Sequence, residues 1–193
     1  MTSPTQLITP SRRLFMGAGA TTLSAGALAL LGGNQALAAV SQTDTKSDLA
    51  ILNVAVGLEY EGINAYEIAL RSGLLNSQHV KAATKFQDDH KAHNDALIGT
   101  IRKLGGRPVE AKSIEEYAKE LKVDLLKTED DVLDLAARLE LGAANAYWGV
   151  LTAFKDPQLG KIAARLAADE AAHFALLNFD LKRPFSKAFA FGA

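Results

Sequence analysis

The chain has 193 residues, with 21 Lys and Arg against 22 Asp and Glu and a formal charge of −1. That near-balance leaves no electrostatic footprint for a nucleic acid. There is no cysteine, which excludes a disulfide framework, a thiolate nucleophile and any cysteine-ligated metal. A metal bound here has to be held by carboxylate and imidazole.

The first segment reads as an export address, not as part of a fold. A polar start leads to "SRRLFMG" at 11–17, then the apolar small-residue stretch "AGATTLSAGALALLGG", then "ALA" at 36–38, a small-x-small cleavage signature. Arg12, Arg13 and Phe15 resemble the twin-arginine export signal; an ordinary Sec signal peptide is the alternative. The resemblance implies a bacterial precursor carried by the twin-arginine export machinery to the periplasm or beyond. Gly and Thr interrupt the apolar stretch, which argues against a permanent membrane anchor after cleavage. Cleavage after Ala38 leaves 155 residues, a length that suits one domain. All the acids and all the bases but Arg12 and Arg13 lie beyond it, so the mature charge is −3. Residues 39–46 are expected to be a linker.

Four long segments then show helical periodicity, and strand-like alternation is missing. The first covers 47–71 and stops at "SGLLNS", with Gly73 as C-cap. The second covers 77–104 and ends at "GGRP", where Pro108 forbids continuation. The third opens at Thr128, with Asp131 three residues on as in a capping box, and runs to about 154. The fourth has Asp156 as N-cap and Pro157 at the first helical position, and reaches about 181. Between the second and third, residues 105–127 form a long connection holding a short helix, "SIEEYAKEL", with its own Ser113 cap and Glu116. Short turns make each hairpin antiparallel. The expected architecture is an all-α four-helix bundle over 47–181, two hairpins joined by one long crossover. A tail, 182–193, carries phenylalanines without a clear period and is expected to pack across the bundle.

The chain repeats itself. "LEYEGINAY" at 58–66 matches "LELGAANAY" at 139–147 at an offset of 81, and 83–97 matches 163–177 at an offset of 80. On the first helix Leu52, Val56, Glu59, Ile63, Tyr66 and Leu70 share one face. The shifted row is Leu133, Ala137, Glu140, Ala144, Tyr147 and Leu151. Each row is apolar except for one glutamate and one tyrosine. Glu61 lies about 200° round the helix from Glu59 and is expected to be solvated. A carboxylate inside an apolar stripe needs compensation by a metal, a base or water. The inward rows of the second and fourth helices supply His90, His93, Glu170 and His173, with no Lys or Arg at the matched positions. The plain alternative is a set of polar core residues satisfying one another.

With these residues in place the chain resembles the ferritin-like superfamily, the bacterial ferritin-like domain proteins distantly similar to rubrerythrin and bacterioferritin. The family pattern is one Glu from each of two helices and Glu-x-x-His from each of the other two. Glu59 and Glu140 match the single glutamates, Glu170 and His173 match one Glu-x-x-His, and His93 matches the second histidine. His90 stands where the second bridging glutamate belongs. The resemblance implies metal ligation by Glu59, His90, His93, Glu140, Glu170 and His173, with His90 as a terminal ligand and not a bridge. Asp89 is expected to substitute for the missing carboxylate or to orient His93, and Tyr66 and Tyr147 to hydrogen-bond ligands or relay electrons, or to be plain core residues. The implied cofactor is iron, as a di-iron centre, or manganese, with a single ion as the alternative. The implied activity is that of a ferroxidase- or peroxidase-like oxidoreductase using oxygen or peroxide. A non-catalytic metal-binding or stress-protective protein, and a metal-free interaction bundle, are the other readings. A homo-oligomer is compatible with the sequence.

Overall fold

The computed structural model of the protein describes residues 44–184. The export signal, most of the linker and the phenylalanine-bearing tail beyond Pro184 lie outside the described residues. Five α-helices follow in chain order: α1 (Asp44–Arg71), α2 (Ser77–Lys103), α3 (Ile114–Glu120), α4 (Glu129–Val150) and α5 (Pro157–Asp180), with a 3-10 turn at Val123–Leu125. No strand occurs among the described residues.

The helix ends follow local chemistry. Asn76 caps α2 by accepting from the backbone N–H groups of Gln78 and His79. Ser113 with Glu116 and Thr128 with Asp131 form complete capping boxes, and Asp156 caps α5 with Pro157 in its first turn. Gly73 (φ 70°) and Gly105 (φ 77°) carry the left-handed exits from the first two helices. α4 stops at Val150, short of the expected 154, because its last turn tightens: Leu151 N–H bonds Trp148 C=O and Ala153 N–H bonds Val150 C=O. The 3-10 turn has no clear sequence signal; it follows Lys122, a non-glycine residue at φ 53°.

α1 packs along α2 and α4 along α5, while α3 lies over α1. Two apolar clusters close the bundle. In one, Leu52 and Val56 of α1 meet Leu97 and Ile101 of α2, Tyr147 of α4, and Leu159, Ala163 and Leu166 of α5. In the other, Tyr66 meets Ala83, Phe86, Leu133, Ala137, Phe174 and Leu177. Early α1 with late α2, and late α4 with early α5, is the signature of antiparallel hairpins. Asp48, also buried, ties α1 to the α4–α5 turn by accepting from the backbone N–H groups of Lys155 and Asp156 at 2.8 and 3.0 Å. Both repeated inward rows are buried or half-buried throughout. The charged residues of those rows fall between the two clusters, at the middle of the bundle.

Candidate metal centre

Glu59, Glu140 and Glu170 are at most 1% exposed, and His90, His93 and His173 at most 8%. Six ionisable groups in so little water must neutralise one another. His90 Nδ1 donates to Glu59 Oε2 at 2.7 Å, and its Nε2 lies 3.4 Å from Glu140 Oε1 and 3.8 Å from Glu170 Oε2. His93 Nδ1 lies 3.1 Å from Glu170 Oε1 and 3.7 Å from Glu59 Oε2. His173 Nδ1 lies 3.5 Å from both Glu140 Oε2 and Glu170 Oε2.

The donors form two overlapping groups, Glu59–His90–His93–Glu170 and His90–Glu140–Glu170–His173, each with its donor atoms within 4.8 Å of one another. Glu170 and His90 belong to both. The His90 ring stands between the two groups, because its side chain projects from the position that Glu170 takes in the repeat. Gly62 makes the room. A Cβ on Gly62 would sit 2.9 Å from two atoms of the His90 ring.

The repeat is realised as crossed pairs. Tyr66 of the first hairpin donates to Glu140 of the second at 2.5 Å, and Tyr147 of the second donates to Glu59 of the first. Both tyrosines thus orient a carboxylate of the site. The aspartates cross in the same way. Asp89 does not reach His93 as expected; it sits 3.3 Å from His173 Nε2 and pairs with Lys85. The carboxylate beside His93 is Asp169, at 3.2 Å from Nε2. Asp169 was legible as the offset-80 partner of Asp89. The reason for the exchange is geometric: each ring points away from its own helix, so the carboxylate behind it comes from the opposite hairpin. The Phe86 ring stacks on His173 with centroids 4.1 Å apart. The fourth histidine, His79, lies away from the centre beside Glu129 and Asp180.

Glu61 is also a correction, for it is 2% exposed. The face that one-helix periodicity assigns to water is covered by the crossover, and the Glu61 charge acts on Lys112 and Tyr117 there.

Protonation follows from burial and pairing. Burial alone would lower the histidines, but hydrogen bonds donated to Glu170 and Glu59 hold His93 up at about 10. Glu140 and Glu170 likewise hold His173 at about 9. His90 is raised as well, burial being outweighed by the charges of Glu170 and Glu140. Burial would raise Glu59, yet bonds from His90 and His93 bring it down to about 2. Glu140 is also lowered, its burial offset by His90 and His173. Glu170 goes the other way, to about 7, through burial and the neighbouring charges of Glu140 and Glu59 against His90. Tyr66 and Tyr147 are raised by burial and by those same carboxylates, so they stay phenols and donors.

The donor set fits a metal. Glu140 Oε2, Glu170 Oε2 and His173 Nδ1 are buried without an aligned hydrogen bond, although they lie within 3.5 Å of one another as pairs with the ring nitrogen. Three buried donors facing one point suit a shared ion better than one another. Oxygen and imidazole ligands serve iron, manganese and zinc.

A ferritin-like domain model matches residues 47–182. The chain belongs to the ferritin-like family. Among solved structures, a ferritin-like chain of this shape is similar to a conserved hypothetical protein, rv2844, from Mycobacterium tuberculosis. The TM-score is 0.62 at 19% identity, covering 76% of this chain and 99% of that one. That likeness speaks for the fold alone. No curated protein matches. No helix among the described residues is long and apolar enough to cross a membrane.

Proposed function

We propose that this ferritin-like protein is exported and holds a non-haem di-metal centre, iron or manganese, that reacts with oxygen or peroxide. The observation that carries the reading is the pair of four-donor groups that share Glu170 and His90. Glu59 and His93 would complete one half and Glu140 and His173 the other. Bound iron or manganese supplies the one-electron redox chemistry that amino-acid side chains lack.

The chain's own residues do the rest. Tyr66 and Tyr147 hold Glu140 and Glu59 in fixed orientation, and apolar clusters flank the centre at either end of the bundle. Asp169 and Asp89 stand behind His93 and His173, where they fix the ring orientation and raise its basicity. The imidazoles must lose protons for their nitrogens to bind an ion, so metal uptake releases protons. Two divalent ions against three carboxylates leave one formal positive charge, which a hydroxide would balance.

A single-ion, non-catalytic site is the second reading, favoured by the 2.7 Å bond between His90 and Glu59, which ties up two donors of one group. Metal analysis of mature protein recovered after native export separates the two readings. Two equivalents per chain, with oxygen- or peroxide-dependent turnover of Fe(II), support the di-metal centre. One equivalent without turnover supports the second reading, and no bound metal overturns both. Export rests on Arg12 and Arg13; changing both to Lys should hold the precursor in the cytoplasm, and normal export would point to a Sec signal.

A further inference from the structure

Between α1 and α4, under the crossover, lies a cavity of about 420 Å³. Its walls are apolar, with Leu58 and Ile68 from α1, Leu135 and Leu139 from α4, and Leu121 and Leu126 from the crossover. It persists because its helical walls also carry small residues, Ala65 and Ala69 on α1 and Ala136 and Ala143 on α4. Toward the bundle centre it is lined by Glu61, Tyr66, His90 and Glu140; toward the end of α1 it is lined by Arg71 and Ser72, which are exposed. One space thus runs from the solvent-facing end of α1 to the candidate metal centre.

We propose that this cavity binds a neutral organic molecule with an apolar body and a hydroxyl donor, an alcohol or phenol, with the hydroxyl directed toward Glu61 and Glu140. Apolar walls with a few convergent polar groups, in a volume of several hundred Å³, are the make-up of a small-molecule site. At the roughly 30 Å³ that a water-sized group occupies in a liquid, the space holds about fourteen non-hydrogen atoms. The head group follows from charge. Two buried carboxylates accept hydrogen bonds and repel an anion. Of the two cationic groups lining the cavity, Arg71 is bound by Glu67 at 2.6 Å and the His90 ring by Glu59 at 2.7 Å, so neither is left to select a carboxylate ligand. Binding needs no metal. That the cavity brings the ligand to the centre's edge does rest on the metal reading.

The test is calorimetry with 1-nonanol and with nonanoate, on mature protein stripped of metal and again after iron loading. Saturable binding of nonanol at one site per chain is expected, with nonanoate about tenfold weaker or more. Ala65→Phe and Ala69→Phe fill the cavity and should each weaken nonanol about tenfold, with helix content and bound metal unchanged. Two filling variants guard against one that fails to fold. Glu61→Gln should narrow the preference for the alcohol. Absence of saturable nonanol binding, equal or tighter binding of nonanoate, or indifference to both filling variants would overturn the proposal. Nonanol binding in a protein that takes up no metal would leave the cavity site standing and sink the metal reading; the converse result would do the opposite.

Discussion

The α1–α2 and α4–α5 hairpins carry the same inward rows and differ where it matters most, at His90 against Glu170. A second difference accompanies the first: at the offset of 81, Gly62 stands against Ala143. The ring needs space that the carboxylate does not, and Gly62 supplies it. The pair teaches that a buried ionisable group is replaced together with its surroundings. It also changes the charge of the cluster. A fourth glutamate would leave four carboxylates facing two imidazoles, whereas His90 gives three of each. A cluster that would depend on metal for neutrality becomes one that protons can neutralise.

The comparison is broken most severely by removing what the two halves share. Glu170→Gln should lower affinity at both groups by about a hundredfold, the scale of a lost charge-assisted contact, as read by chelator competition. An effect on one equivalent only would mean that Glu170 serves one half. Glu140→Ala, by contrast, should cost metal on its own side and leave the fold intact by circular dichroism.

Next in size is the exchange of His90 itself. His90→Glu should raise bound metal toward two per chain and lower the stability of the metal-stripped protein. Gly62→Ala should cost about 1–3 kcal/mol in the natural chain by crowding the ring. In the His90→Glu background it should instead stabilise by about 1 kcal/mol, the helix preference of alanine over glycine. A double-mutant cycle in chemical denaturation reads the coupling; additivity would break the link between the two positions.

Proton linkage gives a smaller and more gradual effect. His93 and His173 have folded pKa values of about 10 and about 9, raised from 6.5. Their pairing therefore stabilises the metal-stripped fold fully below pH 6.5, and that contribution is lost as pH rises through 9 to 10. Its Tm should fall across that range. Metal-loaded protein, whose imidazoles are already deprotonated, should not follow, and metal affinity should rise with pH by about tenfold per unit for each proton displaced.

The smallest effects belong to the crossed aspartates. Asp89→Asn and Asp169→Asn should each weaken metal binding by about tenfold or less. Asp89 should matter more, its side chain being 30% exposed against 60% for Asp169. Equal effects would argue that the two sides are electrostatically equivalent despite His90.

Much of this molecule was legible from local chemistry. Period 3.6, the caps at Ser113, Thr128 and Asp156, and the internal repeat are properties of short stretches of chain. They sufficed for the helices, their antiparallel order and the inward-facing glutamates, histidines and tyrosines. What a single helix cannot report is which neighbour covers its far side. Glu61 is buried only because the crossover lies over α1, and the cavity beneath exists only because small residues of α1 and α4 face each other there. The partners of Asp89 and Asp169 are exchanged because each ring reaches across the bundle. His90 stands in the shared middle because the backbone at Gly62 leaves it space. Sequence periodicity determined which groups turn inward; the packing of the hairpins decided which of them meet, since distance across a bundle depends on every side chain between.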